Sequence, residues 1–223
     1  MLEPPTGLTP SETPRPVDAL LAGYVAGALG PHLHALVESH LILSGEHRDV
    51  VRAMEAQIGE EIEQIEHRPY EPAARDAVLG AIYAGGWYGR PKPEKFDPDV
   101  PEPLDRLIGM SLAQAPWRFA AAGVLEHVVF ADGTTKASLL KIAPGRGAPR
   151  HTHSAMEATL VLKGAFTDEI GHFTRGDIAV ADGSIDHRPV ADRDEPCVCF
   201  AVTEGPLRLT GPVGRLLQKM FGR

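Results

Sequence analysis

The stretch GRGAPRHTHSAMEATLVLKG, residues 145–164, concentrates atoms that bind transition metals. His151 and His153 are separated by one residue, so on a β-strand both point to the same face, and Glu157 returns to that face as the same strand or its neighbour continues. Imidazole nitrogen and carboxylate oxygen together suit zinc, iron, manganese, nickel or copper. A fourth donor must come from an adjacent strand, and RGDIAVADGSIDHRPV supplies His187. The predicted centre is His151, His153, Glu157 and His187 around one divalent transition metal, zinc first, with iron, manganese or nickel as alternatives. On their own, His151 and His153 would equally suit a solvent-exposed turn after Pro149. The later histidine makes the set specific.

Other reactive side chains carry weaker signals. Cys197 and Cys199 stand two apart in CVCFAV, a strand-like run that places both on one face; packing is the commoner role for such thiols, and redox chemistry near the metal is the alternative. Glu126, His127, His172 and Asp186 qualify as acid–base groups by type alone, with His172 expected on a turn between two strands.

The elements that must position these groups change character along the chain. Residues 1–15 hold four prolines and no periodicity, which predicts a flexible tail. Asp18 is a candidate cap for DALLAGYVAGAL, with Leu20, Leu21, Tyr24 and Leu29 on one face, before Gly30-Pro31 opens a second helix, HLHALVESHLIL. There Leu33, Leu36, Val37, Leu41 and His40 form the buried side. A third helix, from about Glu46 to Glu66, aligns Val50, Met54, Ile58, Ile62 and Ile65 and leaves Glu55, Glu60, Glu61, Glu63 and Glu66 for the polar side. That apolar stripe is expected to pack on Leu20, Leu21, Leu36, Val37 and Leu41. A weaker fourth helix, AARDAVLGAIYA, ends at Gly85-Gly86.

Residues 89–103, with five prolines, read as a semi-rigid linker. Beyond them, short runs such as FAAAGVLEHVVF, KASLLKIA, EATLVLKGAF, DIAVA and CVCFAV are bounded by Gly, Pro and Asp, the pattern of a small antiparallel barrel or jelly roll. GRLLQKMF closes the chain as a last short helix or strand. The expected fold is α+β in two domains: a tail to residue 15, a helical bundle over 16–88, the linker over 89–103 and an all-β barrel over 104–223.

Composition bounds the function classes. Hydrophobic residues make up 43% and charged residues 23%, ordinary for a soluble globular protein, and no apolar run is long enough to span a bilayer. The N-terminus lacks the basic cluster and apolar stretch of a secretory signal, so the expected location is cytoplasmic, which agrees with two cysteines placed for packing. The net charge is uneven: residues 1–100 hold 16 acids and 8 bases, while residues 101–223 hold 14 of each. An acidic helical module repels nucleic acid and suits a basic protein surface, though such charge also serves a solvated helix face.

Residues 145–164 also resemble the first cupin motif, G-x5-H-x-H-x3-E-x6-G, at every fixed position. Residues 176–191 are similar to the second, of which Gly176 and His187 are kept while Asp182, Ser184 and Ala191 replace a proline, a glycine and an asparagine. The wider resemblance is to the ChrR family of cupin-containing anti-sigma factors, carried by DALLAGYVAGAL, the following helix with its histidine, PEPLDRLIGMSLAQAPWRFAAAGV, and DEPCVCFAVTEGPLRLTGPVGRLLQKMF. That resemblance implies a helical domain that keeps an extracytoplasmic-function sigma factor from core RNA polymerase. It also implies a metal-holding cupin domain needed to respond to an oxidative signal such as singlet oxygen or organic peroxide. The implied partner is a sigma factor held by residues 16–86, with a second copy of the chain as a further candidate partner and neither nucleic acid nor membrane.

One departure bears on the helical domain. The family's zinc site there uses an early histidine and an H-x3-C-x2-C motif; here His40 matches, but Ser44 and His47 stand at the cysteine positions and Pro14 or Arg15 at the early histidine. A serine hydroxyl is a poor zinc ligand beside thiolate. The helical zinc is expected to be absent, with His32, His34, His40 and His47 as the only candidates for a substitute site. Two other functions fit a cupin: a metal-dependent dioxygenase, and a binding protein that has lost its partner.

Overall fold

In the computed structural model the described residues are 15–66, 69, 71–84 and 95–211. The calls on the tail before Arg15, on Gly85-Gly86, on residues 89–94 of the linker and on GRLLQKMF lie outside them. The helices are α1 (Pro16–Val25), α2 (Pro31–Leu43), α3 (Arg48–Glu63), α4 (Pro72–Ala84) and α5 (Glu102–Ile108). The strands are β1 (Arg118–Ala121), β2 (Val124–Ala131), β3 (Thr135–Ile142), β4 (His151–His153), β5 (Glu157–Lys163) and β6 (Ala165–Thr167). They continue with β7 (His172–Thr174), β8 (Ile178–Ala181), β9 (Val190–Ala191), β10 (Cys197–Glu204) and β11 (Leu207–Leu209). The fold is α+β, with helices first and a jelly-roll barrel of cupin type after them.

Prolines begin the helices, at the first position of α1 and α2, where a missing N–H is harmless. Asp18 is not the cap of α1: Arg15 occupies that place and Asp18 sits three residues inside. The Asp18 carboxylate accepts the Arg15 backbone N–H at 3.0 Å while the Asp18 N–H donates to the Arg15 carbonyl at 2.9 Å. The six-stranded sheet runs β1-β2-β3-β10-β5-β8, and two smaller sheets, β11-β4 and β7-β6-β9, complete the barrel. Gly164, at φ +69°, makes the turn from β5 to β6, where a Cβ would meet the Pro196 carbonyl at 2.7 Å.

The helices do not build their core by themselves. Leu20, Leu21, Leu33, Leu36 and Val37 lie in one apolar cluster with Leu104, Ile108, Leu139, Leu160, Phe200 and Val202, so α1 and α2 are buried against α5 and the outer face of the large sheet. The expected packing of the α3 stripe is corrected by this arrangement. Val50, Ile62 and Ile65 are 41%, 60% and 69% exposed, and only Val51 of α3 is buried. The barrel covers much of the apolar faces of α1 and α2, so α3 packs only through Val51 and the half-buried Met54 and Ile58, and the ends of its stripe stay open. Helix α4 has no buried residue at all, and Val78, Ile82 and Tyr83 are exposed with it.

The end of the proposed linker is also more than a spacer. Asp97 and Val100 are buried, and Asp105 of α5, a helix the sequence did not suggest, accepts the N–H groups of Phe96 and Asp97 at 2.9 and 2.8 Å. Arg175 bridges the Leu162 and Asp99 carbonyls at 2.9 and 2.8 Å, which ties this segment to β5.

The junction of helices and barrel centres on His40. Its buried Nδ1–H donates to the Gly176 carbonyl at 2.6 Å, and its Nε2 faces His47 Nδ1 at 2.9 Å. Gly176, at φ +95°, lets the chain pass so close that a Cβ there would meet Leu43 Cβ at 3.0 Å. Gly176→Ala is therefore expected to lower stability by about 1–3 kcal/mol, from the left-handed conformation and the displaced Leu43. Denaturant titration measures the loss, and an unchanged midpoint at equal slope would show that the junction yields without strain.

Candidate metal centre

Strand pairing brings the four predicted donors together. The N–H groups of His151 and His187 each donate to the other residue's carbonyl at 3.0 Å, which lays β4 beside the segment carrying His187. Glu157 opens β5 after a break at Ser154–Met156, so it lies on the neighbouring strand and not on a continuation of β4. It pairs with Ala181 of β8 and Thr203 of β10. One nitrogen or oxygen from each of His151, His153, Glu157 and His187 falls within a 4.8 Å span, and all four residues are buried.

Hydrogen bonds orient these donors. His151 Nδ1–H donates to the Pro149 carbonyl at 2.7 Å, and His187 Nδ1–H donates to Asp168 Oδ2 at 2.9 Å, so each ring turns an Nε2 lone pair inward. His153 Nε2 lies 3.2 Å from both His187 Nε2 and Glu157 Oε2, while Thr203 Oγ1 donates to the other Glu157 oxygen at 3.2 Å. Two donors about 2.1 Å from a common ion at tetrahedral or octahedral angles stand about 3.0–3.4 Å apart, so this spacing fits a first-row metal. The cluster can hold one such ion.

Electrostatics favour the same state. Burial lowers the pKa of His151, against the opposing pull of the Pro149 carbonyl and Glu157, and keeps the ring neutral as a ligand must be. Burial alone would raise the Glu157 carboxyl, but the hydrogen bond from His153 and the electrostatic pull of the neighbouring imidazoles outweigh it and hold Glu157 below its usual range. Asp168 is lowered likewise: burial opposes, and the bonds from His187 and from the Ile170 and Gly171 N–H groups prevail. Its side chain is 0% exposed. Asp168 was missed by sequence reasoning, since an acid in a turn eleven residues after Glu157 and nineteen before His187 has no spacing that marks it; DEIG before a strand offered only the type.

The helical histidines divide. His40 and His47 meet, whereas His32 stacks on Phe130 with ring centroids 4.3 Å apart and His34 lies by Tyr24 at 4.8 Å and Glu38 at 3.9 Å. The Ser44 hydroxyl accepts the Glu46 N–H at 3.3 Å. Two ring nitrogens closed on each other, with no third or fourth donor beside them among the described residues, do not fit a tetrahedral zinc site. Cys197 and Cys199 are buried thiols with Sγ atoms 3.4 Å apart. The bond to Cys197, burial and the Glu157 charge push the Cys199 pKa well up, which keeps it a poor nucleophile. Of the acid–base candidates, His172 lies on β7 and pairs with Asp192 at 2.9 Å, Asp186 accepts from Thr210 at 2.5 Å, and Glu126 meets Lys136 at 2.6 Å. His127 stays on β2, half-buried. No helix among the described residues is long and apolar enough to cross a membrane.

Comparison with known proteins agrees with this geometry. Residues 106–208 match the family described as the ChrR Cupin-like domain. The chain is 36% identical over 205 residues to the Anti-sigma-E factor ChrR of Cereibacter sphaeroides, covering 92% of this chain and 95% of that one. It is also similar, at 34% identity and a TM-score of 0.71, to a chain in the crystal structure of Rhodobacter sphaeroides SigE in complex with the anti-sigma ChrR, covering 84% of this chain and 96% of that one.

Proposed function

The chain belongs to the ChrR family of cupin-containing anti-sigma factors, and from that premise we propose that its helical part sequesters a sigma factor of the extracytoplasmic-function type in the cytoplasm. The observation that carries this reading is the open apolar face of α3 and α4. Val50, Ile62, Ile65, Val78, Ile82 and Tyr83 are exposed on two helices that contribute a single buried residue between them. Large apolar side chains left exposed in this number on each helix suit a protein-binding surface. Glu55, Glu60, Glu61, Glu63 and Glu66 rim the face on α3 and its end, and they suit a basic partner.

In this reading the barrel holds one divalent ion, zinc first, through His151, His153, Glu157 and His187, with Asp168 and Thr203 fixing two of the ligands. When bound, the ion would supply a Lewis-acidic position at which an oxidative signal is received; the residues around the cluster orient the ligands and bury all four. A dioxygenase is not favoured, because Glu126, His172 and Asp186 are already held by Lys136, Asp192 and Thr210.

Affinity purification of the full chain from its native cell tests the proposal. A sigma factor should co-purify at about one per chain. A metal-loaded chain that brings down no sigma factor refutes it.

A further inference from the structure

The backbone does not support the four donors of the metal cluster equally. Glu157 stands in β5, between β8 and β10, while His151 and His153 lie in β4, which pairs with β11. His187 belongs to no strand, and its backbone pairing is a single bridge to His151. A ligand on irregular chain depends on side chains to fix its place.

The turn between β6 and β7 provides them. Asp168 N–H donates to the Gly171 carbonyl at 3.0 Å, and Asp168 Oδ1 accepts the Ile170 and Gly171 N–H groups at 2.8 and 3.2 Å, which stiffens the turn. Its two adjacent carboxylates then serve different contacts. Asp168 is buried and takes the His187 ring at 2.9 Å. Glu169, 40% exposed, spans two segments: Oε2 accepts the Arg188 N–H at 2.8 Å, and Oε1 meets the Arg150 guanidinium. Arg150 also donates to the Asp186 carbonyl at 3.1 Å. Arg150 precedes His151, and Asp186 and Arg188 flank His187. One carboxylate and one guanidinium therefore tie together the chain on both sides of His187 and the chain entering His151.

We propose that Glu169 is a positioning residue for the metal: by clamping Arg150 to the Arg188 N–H it fixes the spacing of His151 and His187, and so sets the affinity and geometry with which an ion is held. This rests on reading the four buried donors as a metal site. An ion pair this exposed contributes little to folding. Its effect appears when an ion needs both rings at once, because groups behind the ligands govern how well the ligands are aimed.

Zinc titration of the metal-free full chain against a competing chelator tests the assignment, with cobalt(II) as a second probe whose visible absorption bands report ligand geometry. Glu169→Ala should weaken zinc binding about tenfold, the low end of what supporting groups behind metal ligands contribute, and should shift the cobalt bands. Glu169→Gln keeps an acceptor for the Arg188 N–H but loses the charge facing Arg150, so it should fall between alanine and wild type. The thermal midpoint of the metal-free chain should move by less than about 2 °C in either variant. A loss of zinc affinity under about twofold in Glu169→Ala, cobalt bands identical to wild type, or a metal-free midpoint lowered as much as the zinc-loaded one would each overturn the proposal. A wild type that takes up no zinc overturns the metal reading and this proposal with it, whereas a zinc-binding wild type with an indifferent Glu169→Ala overturns this proposal alone.

Discussion

Glu157→Ala is expected to strip the chain of its metal and to lower its thermal midpoint by on the order of 10 °C. Binding to the folded state at a thousand times the dissociation constant adds about 4 kcal/mol, and in a chain of this size each kcal/mol moves the midpoint by about 2–4 °C. The purified wild type should carry close to one equivalent of ion by elemental analysis, not two, because His40 and His47 bind each other and Ser44 replaces a thiolate. Less than about a tenth of an equivalent, after purification without chelator, would sink the metal assignment, and a second equivalent would place an ion at the helical histidines after all. The ion should also leave on acidification. The histidines must be neutral to ligate, so affinity falls as the solution is made acidic. The lowered pKa of His151 moves its own contribution to still lower pH.

A double variant, Ile62→Asp with Ile82→Asp, should lose sigma-factor binding by more than about a hundredfold. Side chains at the centre of such an interface are worth about 2 kcal/mol or more each, and every 1.4 kcal/mol is tenfold. The free chain should be no less stable, since the two positions are already 60% and 56% exposed. Surface plasmon resonance against the co-purified sigma factor measures the first effect and thermal unfolding the second. Retained affinity would move the interface away from α3 and α4. With the wild type, raising salt should slow association more than it speeds dissociation, because the acidic rim steers the encounter.

The donors of the metal cluster were legible because strand geometry converts spacing into direction: one intervening residue returns a side chain to the same face, as it does for His151 and His153. Asp168 was not, because its role depends on a turn folding back under His187, and no periodicity records that. Amphipathicity announced α3 correctly but said nothing of what would cover its stripe. A hydrophobic pattern fixes which face is apolar, and the partner of that face can be the same chain or another one. The same silence hid the burial of α1 and α2 against the sheet. Leu20 and Leu36 carry no mark that distinguishes a helical neighbour from a strand. Helix α5 escaped notice at seven residues and with a proline inside it, too short for a period to emerge.

The shared core of α1, α2 and the large sheet also bears on how the chain is made. His40 and the Gly176 carbonyl that it grips are separated by 136 positions, and Phe200 lies further on still. During synthesis the helices leave the ribosome first, yet the surface that buries Leu20, Leu21, Leu36 and Val37 exists only after β8 and β10 have emerged and paired. A stalled or truncated chain therefore presents those leucines to proteases and chaperones. The apolar faces of α1 and α2 are therefore complete only when the last strands of the barrel are in place.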